Sequence, residues 1–336
     1  MNILVTGGLG YLGSHAVVEL IKQNYKVVII DNLSNSYKKN LIKLEKITRQ
    51  KINFYQADIR DREKISKIFK DNNISGIMHF AGLKSVKKSN LEKKEYFDVN
   101  VNGTNNLIEV LNEVDCKEKL FIFSSSACVY GSPVYLPFDE SHRLHPENYY
   151  GQTKLQSEKN LKEIYKNYKD WRIAILRYFN PIGSHHSYLI GDDSLGEPEN
   201  LMPNILNAAD SDKNNLKIFG SDHDTVDGTP VRDFIHVEDL INGHVLALNF
   251  LKKSEVGICE IFNLGTGKGL SVLQLIKSFE DANEVKVPFE FSKKRDGDLP
   301  KYFSSAEKIT KKLGWRPKLS VEDMCKSSWE FYKNTK

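Results

Sequence analysis

Tyr150 and Lys154 stand four residues apart at the start of a segment (149–168) whose pattern predicts a helix, and that spacing puts both side chains on one helical face. Upstream, Ser124-Ser125-Ser126 ends the apolar run Leu120-Phe121-Ile122-Phe123. A hydroxyl, a phenol and an ammonium are therefore candidates for one site. A free phenol titrates near pKa ~10, too high for a base at neutral pH. A neighbouring positive charge favours the phenolate and brings that value down. Tyr150 can then take the proton of a substrate hydroxyl, with Ser126 bonded to the same oxygen, while the carbon beneath gives up hydride. With 15 tyrosines in a lysine-rich chain, a Tyr-x-x-x-Lys pair also arises by chance, so its weight comes from its surroundings.

Those surroundings include a dinucleotide motif. Gly7-Gly8-Leu9-Gly10-Tyr11-Leu12-Gly13 follows the apolar run Ile3-Leu4-Val5 and opens a helical pattern. Glycines there permit a tight turn, a close approach of pyrophosphate to the backbone, and helix–strand packing. The helix start then offers its amides and positive dipole end to phosphate. Asp31 ends the next strand candidate, Lys26-Val27-Val28-Ile29-Ile30. Its carboxylate can accept both adenosine ribose hydroxyls and would repel a 2′-phosphate, so NAD is expected rather than NADP. Asp58, with Ile59, is placed either to meet an adenine amino group or to cap the helix that follows Asp61. Phe80-Ala81-Gly82-Leu83-Lys84 ends a further strand, its glycine letting a cofactor pass; Lys84 reaches either that cofactor or solvent.

The elements that must position these groups alternate. Apolar runs at 3–5, 26–30, 52–55, 76–80, 120–123 and 172–176 are separated by helical patterns, which predicts βαβ units and a doubly wound, Rossmann-type parallel α/β sheet. The later half is less regular and reads as a smaller, mixed α/β substrate domain. The boundary falls near Pro181, giving domains 1–180 and 181–336, with some later segments packing back on the first. A length of 336 residues suits two domains of ~150 residues each. Apolar content of 40% and charged content of 27% exclude collagen-like and wholly disordered classes. The net charge of +4 is spread along the chain and gives no reason to expect nucleic acid or membrane partners. Four scattered cysteines, no leader pattern and no long apolar stretch point to a reduced, cytoplasmic protein.

Beyond the glycine motif, further segments carry a resemblance: Asn100-Val101-Asn102-Gly103-Thr104, Leu176-Arg177-Tyr178-Phe179-Asn180-Pro181, Asn200-Leu201-Met202-Pro203, Val231-Arg232-Asp233-Phe234-Ile235-His236-Val237 and Gly297-Asp298-Leu299-Pro300. Together they cover nearly the whole chain, which resembles the extended short-chain dehydrogenases/reductases, most closely their nucleotide-sugar 4-epimerase branch. The resemblance implies that Ser126, Tyr150 and Lys154 are catalytic. It implies NAD contacts from Gly7, Gly10, Tyr11, Leu12, Gly13, Asp31, Asn32, Leu33, Ser34, Asn35, Ser36, Asp58, Ile59, Phe80, Ala81, Gly82, Leu83, Lys84, Asn100 and Phe179. For a UDP-galactose or UDP-glucose substrate it implies Asn180, Asn200, Leu201, Arg232, Arg295, Asp298 and Tyr302. The arginines agree with the physical reading, since a diphosphate wants forked, charged donors; an ion pair is the other reading. The implied reaction oxidises C4 to a ketone, turns the hexose and returns hydride to the opposite face. A homodimer is also implied, pairing helices at 91–111 and 150–168 of each subunit.

Rival chemistries lack their groups. Related dehydratases carry an Asp-Glu pair directly after the catalytic Ser or Thr, whereas Ser126 is followed by Ala127-Cys128. In the resembled family a bulky residue at Tyr302 disfavours N-acetylated sugars; the residue alone reads equally as packing. His185-His186 and Asp222-His223-Asp224 have no further ligands at helpful spacing, so no metal is expected.

Overall fold

In a computed structural model, which describes residues 1–116, 119–210, 215–295 and 297–336, the first part of the chain alternates strand and helix. In order come β1 (Asn2–Thr6), α1 (Tyr11–Lys22), β2 (Lys26–Asp31), α2 (Lys39–Thr48), β3 (Asn53–Gln56), α3 (Arg62–Asn72) and β4 (Ile74–His79). Then follow α4 (Val86–Leu91), α5 (Lys93–Phe97), a π-turn (Asp98–Asn102), α6 (Gly103–Glu113), β5 (Lys119–Ser126), α7 (Tyr149–Asn167) and β6 (Trp171–Tyr178). Ile3, Leu4, Val5, Ile29, Ile30, Phe121 and Ile122 are all buried, as strands covered on both faces require. Helices that return the chain to the same edge make the strand pairs parallel, as seen for β1–β2, β1–β4, β2–β3, β4–β5 and β5–β6.

The remaining elements are β7 (Asn180–Ile182), α8 (Leu201–Ala209), β8 (Leu216–Phe219), β9 (Val231–His236), α9 (Val237–Lys253), β10 (Ile258–Leu264), β11 (Gly269–Ser271), α10 (Val272–Asn283), β12 (Phe289–Ser292), β13 (Lys301–Tyr302), α11 (Glu307–Leu313) and α12 (Val321–Thr335). The large sheet has seven strands in the order β10-β6-β5-β4-β1-β2-β3. Its last strand thus comes from far along the sequence, where the pattern Ile258-Cys259-Glu260-Ile261 gives little strand signal. The chain divides into two units: residues 1–131, 143–178 and 241–262 in one, and 132–142, 179–240 and 263–336 in the other. In the second, β9 pairs with β7, β11 and β13, while β8 pairs with β12. Ser271 with Gln274 and Ser320 with Asp323 form capping boxes that start α10 and α12.

Two local readings change. The helix expected at 91–111 is broken at Glu92, and it passes through the π-turn before α6. The cap of α3 is Asp61, whose side chain accepts from the Lys64 amide, so Asp58 is not a helix cap.

The β1–α1 turn has no room for side chains. Gly7 has φ +66, and a Cβ on Gly13 would lie 2.1 Å from the Gly7 carbonyl oxygen. Gly13→Ala is therefore expected to destabilise the fold by about 1–3 kcal/mol of overpacking, read as a lowered urea midpoint, and to abolish dinucleotide binding in a fluorescence titration.

Candidate active site

The glycine turn is braced by Asp31. Its Oδ2 accepts from the Leu9 amide at 3.0 Å, and Oδ1 accepts from the Leu33 amide at 2.9 Å and the Ser36 hydroxyl at 2.8 Å. The carboxylate thus organises the 32–36 loop while keeping lone pairs for a ribose. α1 opens behind Gly10, which contributes no side-chain cap, so its first turn suits an anion. These features fit a dinucleotide. Asp58 is forked onto Arg60, whose guanidinium holds its carboxyl down at about 2, and Asp58 also accepts from the Asn32 amide group at 3.1 Å. Ile59 is buried.

The π-turn places Asn100 where an unbroken helix would not. Its side chain accepts from the Leu83 amide at 2.8 Å and donates to the Leu83 carbonyl at 3.0 Å and the Thr153 hydroxyl at 3.1 Å. It therefore stitches the 80–84 loop to α7. Phe80 lies against the His244 ring, with centroids 5.1 Å apart. Beneath the turn, buried His79 bridges Thr6 at 2.6 Å and Thr104 at 2.9 Å, and burial lowers its pKa to about 3.

α7 begins at the Asn148 cap, whose side chain accepts from the Gly151 amide at 2.8 Å. The next turn turns Tyr150 and Lys154 inward, leaving them 8% and 6% exposed. The Ser126 side chain is near enough to the Tyr150 phenol to favour its ionised form. Burial nevertheless drives the phenol well above its usual pKa, with Tyr178 and Cys128 adding to the rise and only Ser126 opposing it. The expected lowering needs a cofactor's positive charge beside the lysine, and in the protein alone the phenol stays high. Lys154 Nζ donates to the Ser124 carbonyl at 2.9 Å and lies 5.9 Å from the Tyr150 ring centroid. Burial brings the lysine itself down to about 8.

In the second unit Arg232 donates to the carbonyls of Val231 at 2.9 Å and Leu299 at 2.8 Å and pairs with Asp298. Arg295 lies over the Phe219 ring at 3.8 Å. Asn200 caps α8 ahead of Leu201 and donates to Asp192 at 3.2 Å, and exposed Asn180 opens β7. Tyr302 packs on Phe138 at 4.6 Å and on Phe179 at 5.6 Å. His186 meets Glu238 at 2.8 Å, and His185 lies 3.8 Å from the same carboxylate. His185 Nδ1 accepts from the Ser187 amide at 3.1 Å, and the fold brings Glu238 to the His185-His186 pair, with one ligand atom of each within 4.8 Å of the others.

A family model described as GDP-mannose 4,6 dehydratase matches residues 4–328. The chain is 44% identical to the UDP-glucose 4-epimerase of Bacillus subtilis over 98% of this chain and 96% of that one. It belongs to the UDP-glucose 4-epimerase family. Among solved structures, it is similar to a UDP-glucose-4-epimerase from Stenotrophomonas maltophila with bound NAD and formylated UDP-arabinopyranose. The TM-score is 0.96 and identity 42%, over 100% of this chain and 98% of that one. It is also similar to the Bifidobacterium longum enzyme in complex with NAD+ and UDP, with a TM-score of 0.94 and 39% identity over 99% and 98% of the two chains. Sequence reasoning gave no role to His79, His244, Glu158 or Asp233, although Glu158 continues the four-residue spacing of Tyr150 and Lys154.

A lysine titrating near pH 8 is expected in 13Cε-lysine NMR of the protein, with its signal lost in Lys154→Met. A Lys154 midpoint near the ordinary ~10.4 would contradict the buried placement.

Proposed function

We propose that the protein inverts C4 of a UDP-hexose, interconverting UDP-galactose and UDP-glucose through a 4-keto sugar in an NAD-dependent, redox-neutral cycle. The observation that carries this reading is a buried Tyr150 phenol on one face of α7 with buried Lys154, near Ser126 at a strand end, in the same unit as a built dinucleotide turn. NAD, when bound, supplies the hydride acceptor and donor and, in its oxidised form, a positive charge.

Because burial holds the phenol protonated in the protein alone, Tyr150 becomes a base only when positive charge joins Lys154 nearby. It then takes the proton of the C4 hydroxyl and later returns it to the ketone oxygen. Ser126 bonds the same oxygen in both directions. Arg232 and Arg295 provide cationic donors for the diphosphate, with Asp298 holding the Arg232 guanidinium until phosphate competes for it. The Tyr302 ring, backed by Phe138 and Phe179, is the wall to which we assign the exclusion of an N-acetyl group. Elimination finds no acid–base pair, because Ala127 and Cys128 follow Ser126.

No helix among the described residues is long and apolar enough to cross a membrane. We further read the protein as a cytoplasmic homodimer. The free cysteines support the compartment, and exposed Leu91, Phe97 and Tyr168 support an interface on the 91–111 and 150–168 segments.

Incubated with UDP-galactose, the protein is expected to yield UDP-glucose by NMR with no loss of water or carbon dioxide; failure to interconvert them would sink the reading. Tyr150→Phe should lower kcat by roughly 10²–10⁴-fold with little change in KM. Tyr302→Cys should raise turnover of UDP-N-acetylgalactosamine relative to UDP-galactose, and an unchanged ratio would assign the ring to packing alone.

A further inference from the structure

Ser125, between the serines that serve Lys154 and Tyr150, leads to a buried ion pair that none of the steps above uses. The side chains of Arg177 and Glu158 are 1% and 0% exposed. Arg177 is forked onto the carboxylate, with Nε 2.9 Å from Oε1 and Nη2 2.6 Å from Oε2. Ser125 Oγ donates to Oε1 at 2.6 Å, and Arg177 Nη1 donates to the Tyr130 hydroxyl at 3.2 Å. One carboxylate thus joins α7 to the ends of β5 and β6.

Glu158 lies one turn beyond Lys154, as Lys154 lies one turn beyond Tyr150, so the three form a single stripe on α7. The lysine hydrogen-bonds a neutral carbonyl, Ser124 O, and faces the Phe123 ring at 5.0 Å. A buried ammonium held this way needs an anion within reach.

We propose that the Glu158–Arg177 pair is a positioning device for Lys154: it locks α7 onto the serine end of β5 and presents a carboxylate along the stripe that keeps the ammonium charged. The proposal rests on the role given to Lys154 above. The Glu158 charge raises the lysine pKa against burial. The other groups around the stripe are His79 on β4, Tyr150 on α7, Tyr178 on β6, Cys128 after β5, Tyr96 on α5, and His244 on α9 behind Ser124. Burial keeps His79 neutral at pH 7, with its pKa at about 3, and raises both Tyr150 and Tyr178.

The test follows the Lys154 midpoint by 13Cε-lysine NMR, with the alkaline limb of kcat for UDP-galactose alongside. Glu158→Gln should lower both by about one pH unit, and Arg177→Met should raise them. The double variant Glu158→Met with Arg177→Met refills the space without buried charge and should still lower them. A double variant with a wild-type midpoint, or single variants that shift the same way, overturns the proposal. So does failure of all three variants to fold, which would make the pair a folding determinant only. Loss of turnover in the wild type would count against the epimerase reading instead, since the NMR midpoints stand without catalysis.

Discussion

An ammonium taken out of water constrains everything around it. Lys154 is nearly sealed from solvent, and burial alone works to strip its proton. The end of β5 answers with three consecutive hydroxyls and a carbonyl, which reach α7 and α9. The Ser124 carbonyl accepts from the lysine, and the Ser124 hydroxyl shares a hydrogen bond of 3.2 Å with His244. Ser125 meets Glu158, and Ser126 meets Tyr150. Such an arrangement requires β5 and β6 to keep register over their full length, from Lys119 opposite Trp171 to Ser126 opposite Tyr178. A slip of one residue would send each hydroxyl to the opposite face.

Much of this was legible because it is local. The glycine turn, Asp31, the strands up to β6 and the Tyr150/Lys154 face all follow from periodicity and spacing within one or two turns of chain. What escaped is long in range. Glu158 and Arg177 are 19 positions apart, His244 is 120 from Ser124, and β10 enters a sheet whose other strands end at Tyr178. The height of the Tyr150 pKa in the protein alone also lay beyond sequence reasoning. Spacing shows that a lysine is near, but it does not show that the lysine points at a carbonyl or how deeply the phenol is buried. Asp58 teaches the same lesson at short range: Asp61 outcompetes it as helix cap because only Asp61 stands where the Lys64 amide points.

The second unit uses one carboxylate as a frame. Asp233 is fully buried and accepts from the Thr266 amide and hydroxyl, the Gly267 amide, and the Ser304 amide and hydroxyl at 2.6–3.1 Å. It sits between Arg232 and Phe234 on β9, so the strand that carries Arg232 is bonded to the segment two residues beyond Tyr302. The Phe138 amide donates to the Phe303 carbonyl at 3.0 Å, adding a second clamp behind the same ring. Cation and aromatic ring are therefore held by one framework.

The seventh strand has a consequence for biosynthesis. β6 ends at Tyr178, but the strand that covers its outer edge starts at Ile258. While the ribosome adds the intervening residues, the emerging sheet exposes a row of unpaired amides and carbonyls on β6. Such an edge is a template for pairing with another nascent chain, and chaperone cover during that interval would protect it.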